Sequence, residues 1–297
     1  MKVVCVGHST FDTTLPMDFY PTENLKYRIS NHIECGGGPA SNGAYLLAKW
    51  GMDTSLFSAV GDDYYGHQII DEFRNVGANI DGIEVHSDYM TPSSYIIANR
   101  SKGSRTVITS KGEPIRRLRH NGEVKADLIL IDGEHPETAL EVLKFNPEAI
   151  SVLDAGRLTD DTRRLGKLVT YVVCSKVFAE DFADKKIDVT DMDSLIYCYE
   201  KLKAYFQNNI VITLEDKGSF TKLDDYQILP SVKVQAVDST GAGDIFHGAF
   251  TYFIGNGYSL RDTIHYASIT SAISVTRVGA RISIPELKEV LEYDELI

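Results

Sequence analysis

Residues 237 to 244 read VDSTGAGD and run directly into IFHGAF. Ile245, Phe246, Ala249, Phe250 and Phe253 recur at helical spacing, which predicts a helix beginning around Gly241 to Gly243. The first turn of a helix has unpaired N–H donors and the positive end of the macrodipole, and small residues let an anion approach the backbone closely. Gly241, Ala242 and Gly243 would form such an anion hole, with the carboxylate of Asp244 beside it. This combination suits phosphoryl transfer to an alcohol: the amides stabilise the migrating phosphoryl oxygens and the carboxylate accepts the hydroxyl proton. A lone first-turn Asp more often only complements the dipole, so Asp244 gains a chemical reading only from its context.

A second glycine cluster, CGGGPASNGA at 35 to 44, opens a helix expected over 39 to 50, with Pro39 early in it and Gly51 as a left-handed cap. Gly36 to Gly38 would expose backbone to a polar ligand, and Asn42 offers both a donor and an acceptor. A tight turn explains the glycines equally well.

These loops need a scaffold. Apolar, β-branched runs recur as KVVCVG at the start, SLFSAV (55 to 60), DLILID (127 to 132), ISVLDA (150 to 155), YVVCS (171 to 175) and NIVITL (209 to 214). Each reads as a buried strand, and the helical segments between most of them predict an α/β fold with a mainly parallel sheet covered by helices. Residues 10 to 35 and 91 to 110 break the alternation. Polar residues there alternate with aromatic and β-branched ones, and SKGS sits where a hairpin would turn. Both predict a small β-sheet lid on a single α/β domain spanning 1 to 297.

Composition narrows the function. A net charge of −12 over 297 residues gives no support to nucleic-acid binding, which needs clustered Lys and Arg. No apolar run is long enough to span a membrane, and the N-terminus lacks a signal-peptide pattern, so a cytoplasmic protein is expected. Cys5, Cys35, Cys174 and Cys198 form no CxxC pair, and no HExxH occurs, which speaks against a disulfide scaffold or zinc site. There is no GxxxxGK[ST] loop, no early GxGxxG and no protein-kinase signature.

GGGPASNGAYLLAKWG near the N-terminus and VDSTGAGDIFHGAF near the C-terminus resemble, in the expected order, the two signatures of the ribokinase (PfkB) family of ATP-dependent sugar kinases. The resemblance covers essentially the whole chain, including VGDDYYGHQI, the presumed strand VITLEDKGS (211 to 219) and AISVTRVGARISIPE. It implies a three-layer α/β/α fold with a β-sheet lid, and transfer of the γ-phosphate of ATP to a primary hydroxyl of a sugar. Asp244 matches the family's base, and Gly241, Ala242 and Gly243 its anion hole. Asp12, Gly37, Gly38 and Asn42 match sugar-contacting positions. Thr213 and Gly218 match the nucleotide loop. Asp238, Thr240, Ser274, Arg277, Gly279 and Ser283 match a monovalent-cation site, for which potassium is the implied ion. Magnesium is implied with ATP, yet the family's Asn-x-x-Glu motif is replaced by a stretch with Ser175 and Phe178 in register, leaving Glu180 or Asp181 as substitutes.

TPSSYIIANRSKGSRTVI looks most like the ketohexokinase and sulfofructose kinase branch, which favours a ketohexose or related sugar. Glu134 stands where those relatives tend to carry a substrate-facing arginine, so a neutral or amine-bearing sugar is expected, with Lys26 a candidate charge partner. A nucleoside kinase on the same scaffold, clamping a base with Phe19, Tyr20 and Tyr27, and a non-catalytic sugar-binding regulator are the alternatives. The exposed edge of a lid sheet invites pairing, so a homodimer through the lid is a further expectation.

Overall fold

The computed structural model describes residues 1–120 and 122–295. The chain begins with β1 (Lys2–Val6), β2 (Thr10–Met17), β3 (Ile33–Gly37), α1 (Pro39–Lys49), β4 (Asp53–Gly61), α2 (Tyr64–Val76) and β5 (Ile83–His86). Then follow β6 (Ser93–Asn99), β7 (Ser104–Ser110), β8 (Leu128–Ile131), α3 (Pro136–Phe145), β9 (Ile150–Ala155), α4 (Asp160–Gly166) and β10 (Tyr171–Ser175). The last part comprises α5 (Lys176–Ala183), α6 (Met192–Phe206), β11 (Asn209–Thr213), β12 (Ser219–Lys222), β13 (Tyr226–Leu229), α7 (Ala242–Gly255), α8 (Leu260–Val275) and α9 (Leu287–Asp294).

The buried strands are apolar on both faces because helices cover both. Val3 and Cys5 of β1 and Leu128 and Leu130 of β8 join a core with α1, α2, α7, α8 and α9. The alternate residues Val4, Val6, Ile129 and Ile131 join a second core with α3, α4, α5 and α6. The large sheet runs β13-β12-β11-β10-β9-β8-β1-β4-β5. It is parallel from β11 through β5, and antiparallel only where β12 and β13 extend one edge.

The expected strand over 211 to 219 is broken. β11 ends at Thr213, the backbone turns through Glu215 at φ 56 and Gly218 at φ 105, and β12 starts afresh at Ser219. A Cβ at Gly218 would lie 2.0 Å from the Leu229 carbonyl oxygen, so only glycine fits this reversal.

A second sheet, β3-β2-β6-β7, is built from the two segments that broke the strand–helix alternation. β2 pairs antiparallel with β3 and parallel with β6, and β6 and β7 form the hairpin turned at 100 to 103. Residues 18 to 32 between β2 and β3 form no strand or helix. The hairpin leans on the main body: Gly103, at φ 61, lies against Ala236, and Arg105 of β7 donates to Ser239 Oγ at 2.9 Å.

Helices α1 and α7 cross at glycines. A Cβ at Gly248 would fall 2.9 Å from Gly43 Cα, so the two axes approach closely and their first turns come together at one end of the sheet. No helix among the described residues is long and apolar enough to cross a membrane.

Candidate active site

Asp244 lies in the first turn of α7. Gly241, at φ 73, is the N-cap residue, and no side chain caps the helix. In contrast, Asp63, Thr159, Ser175, Asp191 and Ser259 cap α2, α4, α5, α6 and α8 with their own side chains. Ala242 N makes one long bond, 3.4 Å, to the Ser239 carbonyl, and no side chain competes with an incoming anion for the first-turn donors of α7. Gly243 is exposed, and a Cβ there would meet nothing within 4 Å, so the space in front of these donors is open.

Four elements contribute groups around the Asp244 carboxylate. From α1, Asn42 Nδ2 donates to Asp244 Oδ2 at 2.8 Å. From β9 and α7, Asp154 and His247 lie behind it, and from β7 the positive charge of Arg105 acts on it. Burial and the negative charge of Asp154 push the Asp244 carboxyl up to about 6, against the opposing pull of Asn42, His247 and Arg105. His247 Nε2 lies 3.0 Å from the Val173 carbonyl, and its Nδ1 lies 3.1 Å from Asp154 Oδ2. Burial lowers His247 and pushes Asp154 up to about 8. Nδ1 also lies 2.6 Å from the Gly243 carbonyl, so both ring nitrogens face backbone acceptors that hold the imidazole in place.

Asp12 of β2 faces the same space. Its Oδ1 is buried with no hydrogen-bond partner. Burial pushes this carboxyl up to about 6, with the charge of Asp244 adding to the effect and Ser94, Arg281 and Thr10 opposing it. Gly37 lies directly against it: a Cβ there would sit 2.1 Å from Asp12 Oδ2. Gly38, at φ 98, is pressed to the His8 carbonyl, where a Cβ would lie 2.2 Å away. Helix α1 has no side-chain cap of its own; Asp132, at the end of β8, accepts from Ala40 N at 3.1 Å and His8 N at 2.9 Å.

Glu134 follows Asp132 and pairs with Lys111 at 2.5 Å, not with Lys26. Burial pushes its carboxyl up, but Lys111 outweighs that and the net shift is downward. The repulsive charge expected toward anionic sugars is therefore largely neutralised by Lys111. His8, pushed down to about 4 chiefly by burial, lies beside this pair.

Thr213 ends β11 and donates to the Cys174 carbonyl at 3.3 Å, a few residues before the reversal at Gly218. Ser175 caps α5 through Phe178 N at 3.0 Å and donates to the Gly156 carbonyl. Glu180 accepts from Lys186 at 2.7 Å and from Ile187 N at 3.0 Å, and Asp181 is exposed. No cluster of three or more His, Cys, Asp or Glu suited to a metal occurs among the described residues. The Ser175 to Asp181 stretch therefore builds no carboxylate cage for magnesium.

Of the six cation-site residues, Asp238 and Thr240 lie on the loop before α7, Ser274 in the last turn of α8, Arg277 and Gly279 on the loop after it, and Ser283 in the 3-10 turn Arg281–Ser283. Asp238 is buried; its Oδ1 accepts from Thr240 N at 2.9 Å and Thr240 Oγ1 at 2.6 Å, and its Oδ2 from Gly279 N at 2.9 Å. Among the described residues no Lys, Arg or His pairs with it. Ser274 and Ser283 bond to the carbonyls of Ser271 and Ala280, Arg277 pairs with Glu289, and Gly279 stands at φ 90. A buried carboxylate without a cationic partner, set among loop carbonyls, fits a monovalent cation.

Sequence reasoning did not single out Asp132, Asp154, His247, Arg105, Glu72 or Arg281. Asp132 directly follows β8 and Asp154 is the last residue but one of β9, and a carboxylate at the C-terminal end of a buried parallel strand is the signal that would have found them.

The α/β fold and the uncapped first turn of α7 beside Asp244 suit an enzyme of phosphoryl-transfer type, and comparison with known proteins gives the family. The profile of the pfkB family carbohydrate kinases matches residues 1–287, and the chain belongs to that family, whose members are phosphotransferases with an alcohol acceptor. The chain is 27% identical over 300 residues to a ribokinase from Haemophilus influenzae, covering 98% of this chain and 97% of the relative. It is 26% identical over 305 residues to a bifunctional ribokinase/ribose-5-phosphate isomerase A from Fructilactobacillus sanfranciscensis, spanning 98% of this chain and 55% of that protein. A crystal structure from Agrobacterium tumefaciens, provisionally assigned as a ribokinase, superposes with a TM-score of 0.87 at 27% identity, covering 99% of this chain and 97% of the other.

Proposed function

We propose that the protein transfers the γ-phosphoryl group of ATP to a primary hydroxyl of a small sugar, with Asp244 as the base. The observation that carries this reading is the ionisable Asp244 at the foot of an uncapped helix, with the unpartnered Asp12 oxygen facing the same space. Asp12 and the Asn42 amide bind and orient sugar hydroxyls, since a buried carboxylate oxygen without a donor is the acceptor such a hydroxyl requires. Backbone amides of Gly241, Ala242 and Gly243 hold the transferring oxygens. Asp244 takes the hydroxyl proton on its carboxylate, and Arg105 adds positive charge nearby.

Thr213 and Gly218 line the nucleotide, next to Ser175. Magnesium would enter with ATP, since Glu180 is held by Lys186 and Ile187 N and, of the carboxylates in the 175 to 181 stretch, only Asp181 is exposed. A potassium ion held by Asp238 and by the segments containing Thr240, Ser274, Arg277, Gly279 and Ser283 would supply positive charge next to the anion hole. The small sheet formed from residues 10 to 35 and 91 to 110 serves as a lid that excludes water, which disfavours ATP hydrolysis. Its exposed Tyr95, Val107 and Ile108 support pairing with a second copy.

The serine pair Ser93 and Ser94 and the hairpin favour a ketohexose, whereas the relatives named above are ribokinases; both are neutral sugars, in keeping with a Glu134 held by Lys111. An ADP-release screen over ribose, ketohexoses, sugar acids, amino sugars and nucleosides tests the reading. Sugar-stimulated ADP release supports it; release only with nucleosides, or with nothing, overturns it.

A further inference from the structure

Arg281 is buried, with 2% of its side chain exposed, yet nothing in the chemistry above uses it. It opens a short 3-10 turn, Arg281–Ser283, next to the cation loops. Its guanidinium donates from NH1 to Glu72 Oε2 at 2.5 Å, from NH2 to Ser41 Oγ at 2.7 Å and to the Gly37 carbonyl at 3.5 Å, and from Nε to Asn42 Oδ1 at 3.4 Å. The rings of Phe73 and Tyr45 flank it at 4.9 and 5.2 Å. Glu72 in turn accepts from Gly36 N at 3.0 and 3.1 Å. A buried cation is costly unless paired, and this one is paired from α2 while reaching across to α1.

Asn42 lies between groups of opposite hydrogen-bonding character. A guanidinium only donates and an ionised carboxylate only accepts, so an amide placed between Arg281 and Asp244 has one favourable orientation: Oδ1 to Arg281, Nδ2 to Asp244. We propose that Arg281, held by Glu72, is a positioning residue that locks the Asn42 amide so that its NH2 group faces the base. The proposal rests on Asp244 serving as that base. Without Arg281 only the carboxylate itself orients the amide, so the amide swings or turns over more readily and the donor that favours the ionised carboxylate is weakened. The other charged or titratable groups acting on Asp244, namely Asp154 from β9, His247 from α7, Arg105 from β7 and Asp12 from β2, stay in place.

The test is a double-mutant cycle of Arg281→Lys with Asn42→Ala, assayed by sugar-dependent ADP release across pH. Lysine keeps a cation for Glu72, but one ammonium cannot serve both Ser41 and Asn42. The expected result is a loss in kcat of about tenfold or more in Arg281→Lys, an unchanged KM for ATP and an acid limb moved to higher pH. In the Asn42→Ala background the same substitution costs less than about twofold. Equal losses in both backgrounds, or an unmoved acid limb, overturn the proposal. If Arg281→Lys does not fold, Glu72→Gln, which loosens the guanidinium while preserving shape, is expected to give the same non-additive pattern, and additivity there overturns the proposal equally. An Asp244→Asn control separates the two claims: an active control refutes the base assignment, whereas an inactive control with an additive cycle refutes only the role of Arg281.

Discussion

Gly37→Ala places a single methyl group against Asp12, the carboxylate proposed to bind the sugar. The added Cβ would lie 2.1 Å from Asp12 Oδ2, 2.6 Å from its Cγ and 2.9 Å from Oδ1. Carbon and oxygen in contact need about 3.3 Å or more, so the carboxylate has to retreat by about 1 Å. The backbone at Gly37 is not in the left-handed region, so alanine introduces the clash without a conformational penalty. A hydrogen bond to a charged acceptor contributes about 1.5–3 kcal/mol, and each 1.4 kcal/mol is roughly tenfold. Displacing Asp12 should thus raise the sugar KM about 10- to 150-fold, while the KM for ATP stays within about twofold because the nucleotide side is untouched. Steady-state ADP release at varied sugar and saturating ATP, with a melting curve to confirm folding, measures this. A folded Gly37→Ala protein with an unchanged sugar KM would refute the placement of Asp12 in the sugar site.

Turnover should fall as pH drops through about 6, because Asp244 acts only when ionised and burial with Asp154 holds its carboxyl up to about 6; a kcat profile flat from pH 7 to 5 contradicts this. Asp154, raised to about 8 by burial and the charge of Asp132, binds its proton more tightly in the folded than in the unfolded chain. Its contribution to stability is accordingly present below about pH 4 and lost as pH rises toward 8, so Asp154→Asn should gain melting temperature relative to the parent between pH 5 and pH 8. Gly218→Ala, at φ 105 with its Cβ 2.0 Å from the Leu229 carbonyl, should cost about 2 kcal/mol or more, a fall of roughly 4–8 °C in a protein this size; a shift under about 1 °C refutes the strain argument. Ile108→Lys on exposed strand β7 should convert a dimer to a monomer in light scattering while the parent remains a dimer, and a parent that is monomeric at micromolar concentration removes the lid interface.

The scaffold was legible because its strands are buried on both faces. ISVLDA and YVVCS coincide with β9 and β10, since continuous β-branched runs of that length have few other uses. The edge pair β12 and β13 was not, because strands of four residues, SFTK and YQIL, carry too little periodicity. The helix start at Gly241 to Gly243 followed from apolar spacing after a glycine loop. What the sequence concealed are partnerships across long separations: Asn42 with Asp244, Arg281 with Glu72, and Lys111 with Glu134. The first two depend on how α1, α2, α7 and the 3-10 turn at Arg281 pack, and the third on how the loops after β7 and β8 meet, rather than on local spacing. Glu134 illustrates the consequence, since its charge suggests one substrate preference when read alone and a neutralised environment once Lys111 is beside it.

The central claim is that Asp244 deprotonates the sugar hydroxyl within the anion-binding first turn of α7. Asp244→Asn preserves the size of the side chain and its place in the helix while removing the base. Measuring sugar-dependent turnover alongside ATP and sugar binding by calorimetry tests it directly. The account predicts binding within a few-fold of the parent and turnover lower by about a thousandfold or more, equivalent to roughly 4 kcal/mol of transition-state stabilisation. Turnover within tenfold of the parent in a folded Asp244→Asn protein would contradict it.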